Sequence, residues 1–200
     1  MKELKGMNLK SLLKQEISAI SRIPLERLEE FIASVKRSLE PKSKIVTSGM
    51  GKAGQISHTL ATTLSSTGTP SIFLHPAEAQ HGDLGIIQPK DVLILFTNSG
   101  KTREIQELIS LVHELEYQNP IFVITGESNP YLNLRCSDVF EFGVVQEICP
   151  LGLTPTTSTT CMSVICDLIV VDLMRSKNFT TCEYYKRHHG GYLGEKSKNN

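Results

Sequence analysis

The stretch DVLILFTNSGKTRE, residues 91–104, passes from an unbroken apolar run through a polar turn into charged residues at helical spacing. An apolar run without alternation is the pattern of a strand covered on both faces. A helix is expected next, over residues 102–116, so TNSGKTRE (97–104) is a strand-to-helix turn. Thr97, Asn98, Ser99 and Thr102 offer donors beside the free N–H groups of that helix start, and Lys101 and Arg103 add positive charge. A phosphate-sized anion fits such a place. One hydroxyl is enough for an ordinary N-cap. Four polar groups around a glycine are more than a cap needs.

The same rhythm extends in both directions. Upstream, KIVTS (44–48) reads as a strand, followed by a glycine-rich turn and a helix over about residues 52–65, and SIFL (71–74) reads as a second strand. Downstream, IFVIT (121–125) and DVFEF (138–142) are a fourth and a fifth strand, and TPTTSTT (154–160) opens a long helix to about residue 177. Strand–helix alternation predicts a doubly wound α/β fold, a parallel five-stranded sheet with helices on both faces. Ligands of such sheets sit at the carboxyl ends of the strands, so the turns after Ser48, Leu74 and Phe96 are the places to search.

The turn SGMGKAG (48–54) matches G-x-G-x-x-G through Gly49, Gly51 and Gly54. A dinucleotide site also wants an acidic residue at the end of the second strand. SIFL ends in His75 instead, and the spacing is not that of a Walker loop, so neither nucleotide reading holds. Lys52 falls in the first helical turn, where the macrodipole disfavours a cation, and an anion or carboxylate beside it would explain its presence. HPAEAQHGD (75–83) reads as a short helix entered at His75-Pro76 and left at His81-Gly82, and it lacks H-E-x-x-H. RHHGGYLG (187–194) reads in isolation as a solvent-exposed tail.

Before the sheet, Leu9, Leu12, Leu13, Ile17 and Ile20, then Leu25, Leu28, Phe31, Ile32, Val35 and Leu39, give two helices broken at Pro24. The expected organisation is an N-terminal helical hairpin over 1–40, an α/β domain over 41–194 and a polar tail over 195–200. Lys plus Arg and Asp plus Glu are each 21, so no general field favours nucleic acid or an anionic membrane. The five cysteines form no C-x-x-C pair, which argues against a disulfide framework or structural zinc and for a reducing, cytoplasmic setting. The N-terminus is charged throughout, unlike a signal peptide. The apolar stretch 161–174 is interrupted by Asp167 and Asp172 and falls short of the ~20 residues that span a bilayer.

The segments SGMGKAGQI, STGTPSIFLHPAEAQHGDLG, TNSGKTREI, VITG, EICPLGLTPTTSTT and RHHGGYLG, in this order over residues 44–194, together resemble the sugar isomerase (SIS) domain. Within that domain they resemble the arabinose-5-phosphate isomerases. The resemblance implies interconversion of D-ribulose 5-phosphate and D-arabinose 5-phosphate, a supply step for the 3-deoxy-D-manno-octulosonate of lipopolysaccharide. Carried over by position, it implies a catalytic set of Lys52, Glu104, Glu147 and His188. Phosphate would lie on Thr97, Asn98, Ser99 and Thr102, with Ser48, Gly68, Thr69, His75 and His81 as further substrate contacts. His75 also matches a zinc contact in relatives, a metal expected to be non-catalytic; no cofactor is implied as required. Relatives usually carry two CBS domains, and a short form lacking them is the expectation for this chain. Their phosphate turn more often reads S-N-S-G-E-S, so Thr97, Lys101 and Thr102 keep the hydroxyls and make the turn more basic. Where relatives read S-H-P-G-G, Arg187 and His189 stand here, and register with the glycines favours His188 over His189 as the acting residue.

Isomerisation through an enediolate needs a base near a carbon-bound proton and a group that stabilises the oxyanion. Glu147 is the candidate base and Lys52 the oxyanion partner, with His188 and Glu104 handling ring or hydroxyl protons; the roles are exchangeable within the quartet. Glu147→Gln is expected to lower turnover and to leave thermal stability near wild type. His188 follows the last long helix, and the resemblance implies that it reaches a neighbouring subunit's pocket in a homotetramer. The alternatives are a non-catalytic sugar-phosphate-sensing module and an isomerase for another sugar phosphate, such as a hexulose 6-phosphate.

Overall fold

A computed structural model describes residues 8–198 of the chain. The two N-terminal helices are α1 (Leu9–Ile20), capped by the Asn8 side chain, and α2 (Leu25–Ser38), entered at Pro24. The alternating region follows as β1 (Ile45–Gly49), α3 (Gly51–Ser66), β2 (Ser71–Phe73), α4 (Pro76–Ala79), a 3-10 turn (Asp83–Ile86), β3 (Val92–Thr97), α5 (Arg103–Glu114), β4 (Ile121–Thr125), α6 (Pro130–Arg135) and β5 (Asp138–Glu141). The chain then runs through α7 (Thr157–Ser176), α8 (Thr181–Tyr185) and α9 (Gly191–Lys198).

The five strands form one parallel sheet, as the sequence predicts, and their order is β2-β1-β3-β4-β5. Chain order reverses between β1 and β3, and a crevice opens there at the strands' carboxyl ends. β3 shows why its run is continuous. Val92, Ile94 and Phe96 enter the core shared with α1, α2, α3 and α7, and Leu93 and Leu95 enter the core under α4, α5 and α6. In the first core Phe31 of α2 meets Phe122 of β4 edge-on, with ring centroids 5.5 Å apart.

Three features depart from the sequence reading. Residues 195–198, expected in a polar tail, belong to α9, which buries Gly194 and Ser197. The neighbouring α8 carries a full capping box between Thr180 and Glu183, a spacing present in the sequence. α7 is 20 residues long because Thr157–Thr160 and Arg175–Ser176 extend the apolar stretch at both ends. By length and composition it therefore suffices to cross a bilayer, contrary to the estimate from 161–174; half of that span is buried in the protein core.

Candidate active site

The crevice between β1 and β3 is a cleft of about 520 Å3. Its walls come from the first turn of α3 (Met50, Gly51, Lys52, Ala53), the turn after β3 (Thr97, Asn98, Ser99, Thr102) and the start of α7 (Pro155, Ser158, Thr159). Three helix N-termini thus converge on one space. Neither Met50 nor Thr102, the N-cap residues of α3 and α5, makes a side-chain cap. The first N–H groups of both helices remain available, and their dipoles favour an anion.

The local chemistry explains the shape of the turn. Thr97, 1% exposed, shares a 2.8 Å hydrogen bond with the Thr102 hydroxyl and so closes the turn at its base. Asn98 holds the turn against β4, its carbonyl accepting from the N–H groups of Gly126 and Glu127. Gly100 has φ +68°, and a Cβ there would lie 2.6 Å from the Glu127 carbonyl oxygen. Only glycine fits. Thr102 therefore ties the turn together instead of capping α5, and the expected phosphate turn keeps its donors facing the cleft.

Lys52 lines the same cleft, and its ammonium lies 3.4 Å from Gln55 Oε1. Glu104 stands half-buried in the first turn of α5, outside the cleft wall. Ser48, at the carboxyl end of β1, is fully buried with an unpartnered hydroxyl. On the other side of the glycine turn a second hollow of about 490 Å3 is lined by Gly49, Gln55, His58, Phe73 and His75. His75 Nδ1 is buried there without a hydrogen-bond partner. His81 is exposed beyond α4.

Glu147 is 9% exposed and serves as a cap for α7. Its Oε2 accepts from Thr156 N (2.6 Å), Thr156 Oγ1 (2.9 Å) and Ser158 N (3.3 Å), and its Oε1 accepts from the Ser158 hydroxyl. Burial opposes the charge, and the hydrogen bonds from Ser158 and Thr156 together outweigh it, holding the carboxyl below the ordinary glutamate value. The carboxylate is thus structural, which counts against the expectation that Glu147→Gln leaves thermal stability near wild type. Behind it, Thr157 of the same turn donates to Glu16 of α1 at 2.8 Å.

Gly68, Thr69 and His188 lie elsewhere in this chain. Lys177, just past α7, donates to Gly68 O (3.3 Å) and Thr69 Oγ1 (2.8 Å). Gly68 follows the 16 residues of α3, which at 1.5 Å rise put that corner about 24 Å from the cleft lined by the helix's first turn. Arg187 stands over Phe179 at 5.3 Å in the same corner, and the adjacent His188 stacks on Tyr184 with ring centroids 3.8 Å apart. One chain therefore gathers Lys52 with the phosphate turn, but not with His188, Gly68 or Thr69. For zinc, His75 offers a free nitrogen, but among the described residues no group of three His, Cys, Asp or Glu converges as ligands. The residues of one chain do not fit a metal centre at His75.

Sequence reasoning missed Thr156 and Ser158, the donors that hold Glu147. They fall nine and eleven residues beyond it, and no local motif links them.

The SIS domain pattern matches residues 38–172, which hold the whole sheet, the turn after β3 and most of α7. The chain is 41% identical over 188 residues to arabinose 5-phosphate isomerase KdsD of Shigella flexneri, covering 91% of this chain and 56% of that protein. It thus spans about half the length of the curated relatives it matches. A crystal structure of a candidate phosphosugar isomerase involved in capsule formation, from Bacteroides fragilis NCTC 9343, superposes with a TM-score of 0.83 at 50% identity, covering 92% of this chain and 97% of that one. The E. coli CFT073 protein c3406, solved in complex with arabinose 5-phosphate, superposes with a TM-score of 0.79 at 34% identity, covering 89% and 97%. With its sheet order and the span of the match in agreement, the chain belongs to the SIS domain family.

Proposed function

We propose that this chain is an aldose–ketose isomerase that interconverts D-ribulose 5-phosphate and D-arabinose 5-phosphate through an enediolate. The observation that carries the reading is the cleft itself. Two helix N-termini without side-chain caps and the Thr97–Thr102 turn offer a seat for a phosphate dianion, with Lys52 in the wall and Glu147 behind Ser158. Kinship to proteins named arabinose 5-phosphate isomerases supports the choice of substrate. The product would feed 3-deoxy-D-manno-octulosonate synthesis in a cytoplasmic setting, in keeping with five free cysteines.

The phosphate anchors one end of the open-chain sugar on the α5 turn, and its carbonyl end then faces acid–base groups. Glu147 Oε1 takes the proton from carbon, Lys52 neutralises the enediolate oxygen, and the proton returns to the neighbouring carbon. Glu104 and His188 exchange hydroxyl or ring protons. Because Gly68 and Thr69 lie past the far ends of α3 and α7, with His188 beside that corner, each site takes them from another copy, in a homotetramer. No step is routed through a metal.

The test is proton NMR in D2O with a panel of pentose and hexose phosphates. The expected result is aldose–ketose exchange with ribulose 5-phosphate and deuterium entering only at C2 of arabinose 5-phosphate. Binding of sugar phosphate without exchange would leave a sensing module, and exchange confined to hexose phosphates would change the substrate.

A further inference from the structure

The two oxygens of Glu147 are held unequally. Oε2 receives three hydrogen bonds, two of them from backbone N–H groups at the start of α7. Oε1 receives one, from the hydroxyl of Ser158. Oε2 is therefore the anchor, and Oε1 is the oxygen that can change its proton without breaking the cap. Ser158 is itself fully buried, yet it forms part of the cleft wall beside Thr159 and opposite Lys52 and the phosphate turn. Ser158 thus joins the carboxylate to the wall of the space where substrate would sit.

A serine hydroxyl has one hydrogen and two lone pairs, and it turns freely about its C–O bond. While Glu147 is ionised, the hydrogen is committed to Oε1. Once Oε1 holds a proton, the carboxylic acid becomes a donor and Ser158 Oγ can only accept from it. Its own hydrogen must then point elsewhere, and the cleft that Ser158 lines is next to it.

From this we infer that Ser158 is a hydroxyl rotor that couples proton uptake by Glu147 to stabilisation of the enediolate. The inference rests on the reading of Glu147 as the base. In the step, the carbon–hydrogen bond breaks, its proton passes to Glu147 Oε1, and the electron pair moves into the enediolate. The Glu147 O–H then donates to Ser158 Oγ, and the Ser158 O–H donates to the enediolate oxygen. Collapse of the enediolate and return of the proton reverse both turns, so no group is consumed. The hydrogen bond to substrate exists only after proton transfer, so it lowers the barrier without tightening the ground state.

The test compares ground-state and enediolate-like ligands on Ser158→Ala. The probe is a phosphorylated hydroxamic acid whose planar, anionic head imitates the enediolate. Ser158→Ala is expected to weaken hydroxamate inhibition and lower kcat by about tenfold or more, while KM for ribulose 5-phosphate stays within about twofold. Equal shifts in hydroxamate affinity and KM would overturn the rotor, because a merely structural serine has no reason to separate them. If the alanine variant does not fold, Ser158→Cys, of similar shape but a weaker donor, carries the test and should show the same split at smaller size. Glu147→Gln separates the two ideas. Wild-type turnover in Glu147→Gln removes the base and the rotor together, whereas an inactive Glu147→Gln with an unsplit Ser158→Ala removes the rotor alone.

Discussion

Glu147 caps α7 and is the base in the proposed reaction, and each role would leave its own trace in experiment. As the candidate base, its replacement by glutamine should lower turnover of ribulose 5-phosphate by about a hundredfold or more. As the cap of α7, it should also lower stability, because an amide nitrogen would face the N–H and hydroxyl donors of Thr156 and Ser158. The folded carboxyl lies below its ordinary value, so its contribution is present above about pH 4.3 and fades as pH falls through the lower, folded value. Urea midpoints of wild type and Glu147→Gln should therefore differ at pH 7 and converge towards acid; a gap of constant size would mean that the charge contributes nothing. Two residues on, partial burial opposes a Cys149 thiolate, but the N–H groups of Thr154 and Leu153 overcome this and bring the thiol down to about 7. Burial pushes Cys136 up to about 12 and Cys161 up to about 11. Iodoacetamide at pH 7 should label Cys149 well before either, as peptide mass spectrometry would reveal.

At the level of elements, the strands and the polar turn after β3 were legible because their signals are local. The run DVLILF stays apolar because β3 is covered on both faces, and TNSGKT crowds its donors into one turn. What escaped was either short or non-local. α6 begins at Asn129-Pro130, with an Asn cap and Pro at N1, and α8 begins with a capping box, yet both are too short to show periodicity. The duty of Glu147 at α7 joins residues that only the fold brings together. The glycine turn of α3 was legible as a motif but not in its purpose. Gly54 is where the helix meets β1, and a Cβ there would stand 2.4 Å from the Gly49 carbonyl oxygen. Gly54→Ala should force α3 away from the strand and lower stability by about 1–3 kcal/mol in urea unfolding. Lys52, two residues before it, would move with the helix, so kcat should fall as well.

The whole molecule raises a question of completeness, since the cleft holds Lys52 and the far corner holds His188. If each working site joins the cleft of one copy to the corner of another, two inactive variants can repair each other. Lys52→Ala spoils only the clefts and His188→Ala only the corners, so in a mixed assembly some sites receive a sound cleft and a sound corner. With equal amounts and random assembly, each half is intact in one site of two, and recovered activity should approach about a quarter of wild type. The mixing must be done by co-expression or joint refolding, because exchange between finished assemblies can be slow. The measurement is the isomerase rate of the mixture against each variant refolded alone, with sedimentation confirming a common assembly. A mixture no more active than its components would place His188 outside the neighbour's site, and an active monomer would show that one chain suffices. His189→Ala in place of His188→Ala settles which histidine acts, because only loss of the acting residue should make activity depend on a partner with a sound corner.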